Sequence, residues 1–294
     1  MTFPELYRNP SKPVISFEIF PPKTPEGKGN LLSSLEVLAK LSPGFISVTY
    51  GAMGSTRGNS FEIASHIKDK LKIETASHLT CVGSSSAEID LILKNLRERG
   101  IENIVALRGD PPDNRKKFTT AHGGYSHANE LVEHIRGFES ENRNGRFGVA
   151  VAGYPEKHIE APSLEKDIEN LAKKIHAGAD TIITQLFYDN RFYFDYVKKV
   201  RRAGLENPVI PGLMPILSMR QVLKITSMCG TTVPESIMKR LEECERKNGD
   251  IGQVAIDICA EQAENLLSEG VPGIHFYVLN RASYVKSVLK RLGL

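Results

Sequence analysis

TIITQLFYDNRFYFDYVKKVRRAG, residues Thr181–Gly204, contains one complete folding unit. Thr181–Phe187 is β-branched or apolar except at Gln185 and reads as a buried strand, whereas Asn190–Ala203 carries helical periodicity and is closed by Gly204. The same alternation extends outward in both directions. Strand-like runs at Val14–Phe20, Phe45–Tyr50, Ala76–Cys81, Asn103–Arg108 and Phe147–Gly153 precede it, and Pro208–Pro215 and Gly273–Leu279 follow. Helical stretches lie between them at Leu31–Leu41, Ser60–Leu71, Ala87–Arg99, Ser126–Phe138, Ser163–Ala177 and Met219–Met228. A longer helical insertion, Pro234–Ser268, precedes the last strand, and Ser283–Leu292 closes the series.

Alternation of this kind predicts parallel strands with helical crossovers. Eight such units in 294 residues point to an α/β fold, a single (β/α)8 TIM barrel over residues 1–294. The alternative is a doubly wound open sheet. Against it, no Gly-x-Gly-x-x-Gly follows any strand, so a dinucleotide-binding phosphate turn has nothing to form it.

Charge and composition exclude several classes. The 38 basic and 35 acidic residues are interspersed and leave a formal charge of +3, giving no electrostatic case for nucleic acid or a membrane surface. No apolar run approaches the ~20 residues a membrane span needs. Met1–Pro13 is polar and broken by three prolines, unlike a signal peptide. Cys81, Cys229, Cys244 and Cys259 lie far apart without metal-ligand spacing, and read as unpaired thiols in a reducing cytoplasm.

Barrel sites form at the carboxyl ends of the strands. There the chain places Glu18, Thr49 and Tyr50, His78 and Thr80, Arg108-Gly109-Asp110, Tyr154, Thr184 and Gln185, then Tyr277, Asn280 and Arg281. Structural satisfaction explains one or two such polar residues better than a ring of them. Glu18, among Phe17, Ile19, Phe20, Pro21 and Pro22, is expected to be desolvated and its pKa raised, as suits a general acid; the alternative is a salt bridge to Arg108 or Arg281. Asp110 reads either as a site carboxylate or as a turn former before Pro111-Pro112, and His78 alone reads as a satisfied core histidine. Gln185 needs partners for both ends of its amide, which a flat heterocycle can supply.

Eight runs resemble the signature segments of the methylenetetrahydrofolate reductase family: SFEIFPPK (Ser16–Lys23), SVTYGA (Ser47–Ala52), HLTC (His78–Cys81), IVALRGDPP (Ile104–Pro112), GYPEKH (Gly153–His158), ITQLFYD (Ile183–Asp189), IPGLMPI (Ile210–Ile216) and HFYVLNRA (His275–Ala282). The resemblance implies a barrel holding FAD non-covalently. It implies NADH or NADPH as hydride donor, and ping-pong reduction of 5,10-methylenetetrahydrofolate to 5-methyltetrahydrofolate, which supplies methyl groups for methionine synthesis. It makes Glu18 the catalytic acid and sets Asp110 between flavin and pterin. Gln185, Gln221, Tyr277 and Arg281 would bind folate. Flavin contacts carry over to Thr49, His78, Arg108, Gly109, Asp110, His127, Ala128, Tyr154, His158, Asp167, Asn170, Lys173 and Lys174. Without the resemblance, Lys173-Lys174 reads as a solvated helix face.

Two positions depart from the family pattern. Ile225 stands where some members carry an aromatic, so it offers apolar contact but no ring stacking; the position of His127 is often aromatic too. No regulatory domain follows Leu294, so inhibition through one is not expected. A homo-oligomer is expected, with no metal. Two other readings stay open. Electrons can come from an accessory electron-transfer subunit instead of directly from NADH, or the barrel can be a non-catalytic flavin or pterin sensor. The set of Glu18, Asp110 and Gln185 argues against the last.

Overall fold

The computed structural model describes residues 1–22, 24–49, 57–110, 120–142 and 145–294; Lys23, Tyr50, Gly51, Ala52, Pro111 and Pro112, all named above, lie outside the described residues. The strands are β1 (Val14–Ile19), β2 (Phe45–Val48), β3 (Thr75–Thr80), β4 (Asn103–Leu107), β5 (Gly148–Gly153), β6 (Thr181–Thr184), β7 (Val209–Ile210), β8 (Gly212–Leu213) and β9 (Gly273–Tyr277). All pair in parallel, in the order β7-β6-β5-β4-β3-β2-β1-β9-β8. The barrel expectation holds. The two ends of that order are halves of one run, Pro208–Pro215, divided at Pro211. Proline cannot donate to a ladder, but its carbonyl accepts from His275 N at 3.0 Å, which closes the ring.

Around the barrel run α2 (Pro25–Ala39), α3 (Arg57–Asp69), α4 (Ser86–Glu98), α5 (Ala128–Asn142), α6 (Leu164–His176), α7 (Asn190–Arg202), α8 (Met219–Cys229) and α11 (Ala282–Arg291). Their starts are set by side-chain caps: Thr24 accepts from Gly27 N, Ser163 from Lys166 N, Asp189 from Arg191 N and Ser218 from Gln221 N. The insertion resolves into α9 (Glu235–Arg246) and α10 (Ile251–Ser268), and most of the strands are shorter than the apolar runs suggested.

Side chains alternate across each strand. Phe17, Ile19, Ile46, Val48, Leu79, Ile104, Val149, Val151, Ile182 and Phe276 face outward into the large core under the helices. The opposite parity faces the interior. Its amino end is filled by Phe45, Ala76, Val105, Ala150, Ile183 and Ile210, and plugged by Phe3 of a short helix, α1 (Phe3–Leu6), and by Tyr7 at its carboxyl cap. The polar, proline-broken terminus gave no sign of this plug. It is pinned by the Phe3 N–H donating to Asn103 Oδ1 at 2.7 Å and by the edge contact of Phe3 with Phe45 at 5.0 Å.

Candidate active site

Glu18 shares the interior parity with Ser16, and register sets it level with Ser47 and Tyr277. It is 8% exposed. Its Oε2 lies 3.1 Å from His78 Nε2 and 3.6 Å from His275 Nε2. Burial pushes the carboxyl up, as expected, but the nearby imidazoles, His78 foremost and then His275, outweigh it and hold the group down at about 2. The expected raised pKa is therefore corrected: the flanking residues on β1 are apolar, but the neighbours through space are two bases. Neither Arg108 nor Arg281 pairs with it. His78 is correspondingly more than a satisfied core histidine.

Glu18 opens onto a cavity of about 570 Å3 lined also by Thr49, His78, Arg108, Gly109, Asp110, Tyr154, His158, Gln185 and Tyr277. Leu186, Met214, Ile225 and Met228 form an apolar wall. Asp110 is exposed at the rim. Gly109 has φ +85°, and a Cβ there would come within 2.7 Å of Val82, so a side chain is excluded by both conformation and space. Gln185 Oε1 accepts from Leu186 N at 2.9 Å, leaving its NH2 group without a partner among the described residues. Tyr277 donates to the Thr184 carbonyl at 2.6 Å and so spans the barrel mouth.

A second cavity of about 500 Å3 adjoins the first, sharing Leu107, Arg108, Ala152, Tyr154 and His158. Its other walls include His127, Ala128, Asp167, Asn170, Lys173 and Lys174. The two lysines divide. Lys173 is exposed, but Lys174 turns inward, donating to Ala152 O at 2.6 Å, and burial lowers it to about 8 against the opposing pull of Asp167. The solvated-face reading holds for Lys173 alone. Asp167, raised by desolvation, accepts from His158 N at 3.3 Å, and the His158 ring meets Tyr154 edge-on at 4.8 Å. Arg108 is engaged by Glu160 through two contacts of 2.5 and 3.0 Å.

One cavity is walled largely by apolar side chains with a few polar groups; the other adds lysines to the shared Arg108 and His158. Together they suit a bipartite ligand with an apolar end and an anionic end. Two expected residues are not brought in. Gln221 accepts from Leu217 N at 3.0 Å and contacts Met214 Sδ, bracing the wall from behind, and Arg281 is exposed outside the lining. Two others were under-read. Asn280 clamps β1 to β9 by exchanging hydrogen bonds with the backbone of Phe20 at 2.7 and 3.0 Å. His275 sits in the quoted HFYVLNRA run, and its parity with Tyr277 was the signal that could have placed it inside.

A family model described as "Methylenetetrahydrofolate reductase" matches residues 5–293. The chain is 38% identical over 288 residues to "Methylenetetrahydrofolate reductase (NADH) 1" of Arabidopsis thaliana, covering 95% of this chain and 48% of that one. It is 34% identical over 279 residues to "5,10-methylenetetrahydrofolate reductase" of Escherichia coli K12, covering 95% and 90%. It thus spans about half the length of the plant relatives and most of the bacterial one. Among solved structures, an "uncharacterized protein from Clostridium thermocellum", described as binding two copies of 5-methyl-5,6,7,8-tetrahydrofolic acid, shares the fold with TM-score 0.62, 17% identity and 99% coverage of both chains. A match that runs almost end to end, supported by the bacterial relative, leaves one conclusion: this chain belongs to the methylenetetrahydrofolate reductase family.

Proposed function

We propose that the chain reduces 5,10-methylenetetrahydrofolate to 5-methyltetrahydrofolate with FAD and a reduced nicotinamide nucleotide, by alternating half-reactions. One observation carries this reading: a buried carboxylate with two imidazoles faces the same cavity as Gln185, Tyr277 and Asp110, and that cavity adjoins a basic one. FAD, when bound, supplies the hydride relay between nicotinamide and folate. Lys173, Lys174, Arg108 and His158 are assigned to its anionic part, and Thr49, His78 and Gly109 to its ring. The partnerless amide NH2 of Gln185 is suited to a pterin acceptor, and Leu186, Met214 and Ile225 exclude water from the pterin faces. Glu18 delivers the proton that opens the bridge between the two folate nitrogens. NADH is assigned ahead of NADPH, following the names of the plant relatives.

The test is absorbance followed by stopped flow. The purified chain should show, or reconstitute, a flavin spectrum that NADH bleaches anaerobically and methylenetetrahydrofolate restores. A chain that stays colourless with added FAD would end the proposal. A flavin that NADH and NADPH leave oxidised, yet that methylenetetrahydrofolate reoxidises after photoreduction, would move the electron donor to another subunit.

A further inference from the structure

His275 lies on β9 with no exposed surface, inside the barrel one layer below Glu18. Its Nδ1 is 2.8 Å from Ser16 Oγ. Its Nε2 is 3.4 Å from Ser47 Oγ and 3.6 Å from Glu18 Oε2. The Ser47 hydroxyl reaches the Phe17 carbonyl at 3.5 Å, so its oxygen is left to accept from the imidazole. The Ser16 hydroxyl likewise reaches the Ile274 carbonyl at 3.4 Å, so each ring nitrogen of His275 faces a serine oxygen whose own proton has a carbonyl to go to. The ring cannot easily turn away. It is stacked on Phe45 at 5.5 Å and 16°, and Tyr277 meets it edge-on at 5.5 Å. From the other side His78, on β3, brings a second Nε2 to the same carboxylate oxygen at 3.1 Å.

We infer that His275, whose two ring nitrogens are held by Ser16 and Ser47, is a positioning residue that together with His78 stores the proton Glu18 delivers to folate. The inference rests on the folate-reducing reading above. A core histidine satisfied by packing would need no carboxylate within reach, and an isolated acid would need no second imidazole. The other titratable groups around the cluster are Tyr277 on β9, Tyr7 from the plug beside Ser16, Tyr154 at the end of β5 and Cys229 at the end of α8. Burial pushes each of them up, so they remain neutral and leave the proton to the two imidazoles and Glu18. Asp110 lines the same cavity from its exposed rim.

At rest the carboxylate is ionised and the proton sits on an imidazole. Folate covering Glu18 removes the remaining water, and a neutral acid beside a neutral imidazole then costs less than the buried ion pair. Glu18 passes its proton to the folate nitrogen whose bond to the bridging carbon breaks, and the electron pair of that bond stays on the nitrogen. The lone pair of the other nitrogen forms the C=N bond that accepts hydride. The cluster ends one proton short and regains it from water.

Infrared difference spectra of the whole protein, wild type minus Glu18→Gln, isolate the protonated-carboxyl stretch of Glu18 independently of turnover. We expect that band to be absent at pH 7 in wild type and present in His275→Gln. In stopped flow, His275→Gln should lose about 10- to 100-fold in the folate half-reaction, a part of the roughly 10²–10⁴-fold a positioned acid contributes, with a displaced pH profile. Ser16→Ala should give a smaller loss of the same kind, and Ser16→Thr should restore it. A protonated Glu18 band at pH 7 in wild type overturns the inference. So does a folded His275→Gln or Ser16→Ala whose band and pH profile match wild type. Should His275→Gln fail to fold, the wild-type band and Ser16→Ala decide. A flavin-loaded wild type that never reduces folate refutes the functional reading instead, while the infrared result still judges the histidine pair.

Discussion

At the amino end of the barrel interior, Phe45, Ala76, Val105, Ala150 and Ile183 close on Phe3 and Tyr7 with little or no exposed surface. Two residues further along the same strands stand Ser47, His78, Leu107, Ala152 and Gln185, which face the cavities or the Glu18 cluster. Two residues are roughly 6.6 Å of strand, and the backbone geometry is the same at both levels. What differs is side-chain chemistry: the lower layer is apolar except where Ser16 and His275 enter it, and the next holds Glu18 and His78. Stability and reactivity are stacked in one barrel, separated by a single pleat repeat.

Separate substitutions should pull these layers apart. The largest effect is expected for Glu18→Gln, a loss of about 10²–10⁴-fold in the folate half-reaction, with a smaller shift in thermal midpoint than any plug variant gives. Retention of wild-type folate rates would remove Glu18 from the chemistry. Phe3→Ala should do the reverse, costing about 3–5 kcal/mol by denaturant titration while the folded fraction keeps its flavin and its rates. A cost under about 1 kcal/mol would mean that the plug does not carry the amino-end packing.

Lys174 gives a pH-dependent signature at the basic cavity. Its folded pKa is lowered from 10.5 to about 8, so between those values the unfolded chain binds more protons and stability rises with pH. Relative to Lys174→Met, wild type should therefore gain stability from pH 8 to 10.5, and a flat difference would place the ammonium in solvent. The smallest effect is expected at the cavity edge. Glu160→Gln weakens an exposed partner of Arg108 and should cost about 1 kcal/mol or less, with little change in FAD affinity. A large fall in stability would show that the pair braces the loop instead.

Much of the barrel was legible because strands and helices have different hydrophobic periods, and capping residues and glycines such as Gly204 (φ 78°) punctuate them. The division of the seventh strand was less so, since Pro208–Pro215 looks continuous until Pro211 is seen between two sheet partners. The plug escaped because four residues of helix leave almost no periodic signal. At the site, residue type and strand-end position located Glu18, Gln185 and Tyr277. Gln221 and Arg281, assigned to the pocket by the resemblance, turn to the loop behind and to solvent, and the helical pattern overstated the solvated character of Lys174.

The sequence by itself determined the order of units, the parity that sends Glu18 inward, and the kinds of chemistry available at each level. Those follow from local propensity and a period of two. Only the tertiary structure decided what Glu18 meets. Ser16 and His275 are 259 residues apart, and they touch because the first and last strands lie side by side when the barrel closes. The direction of the Glu18 pKa shift was set by that closure, since a carboxyl's pKa belongs to the groups packed around it in space and not to its neighbours along the chain.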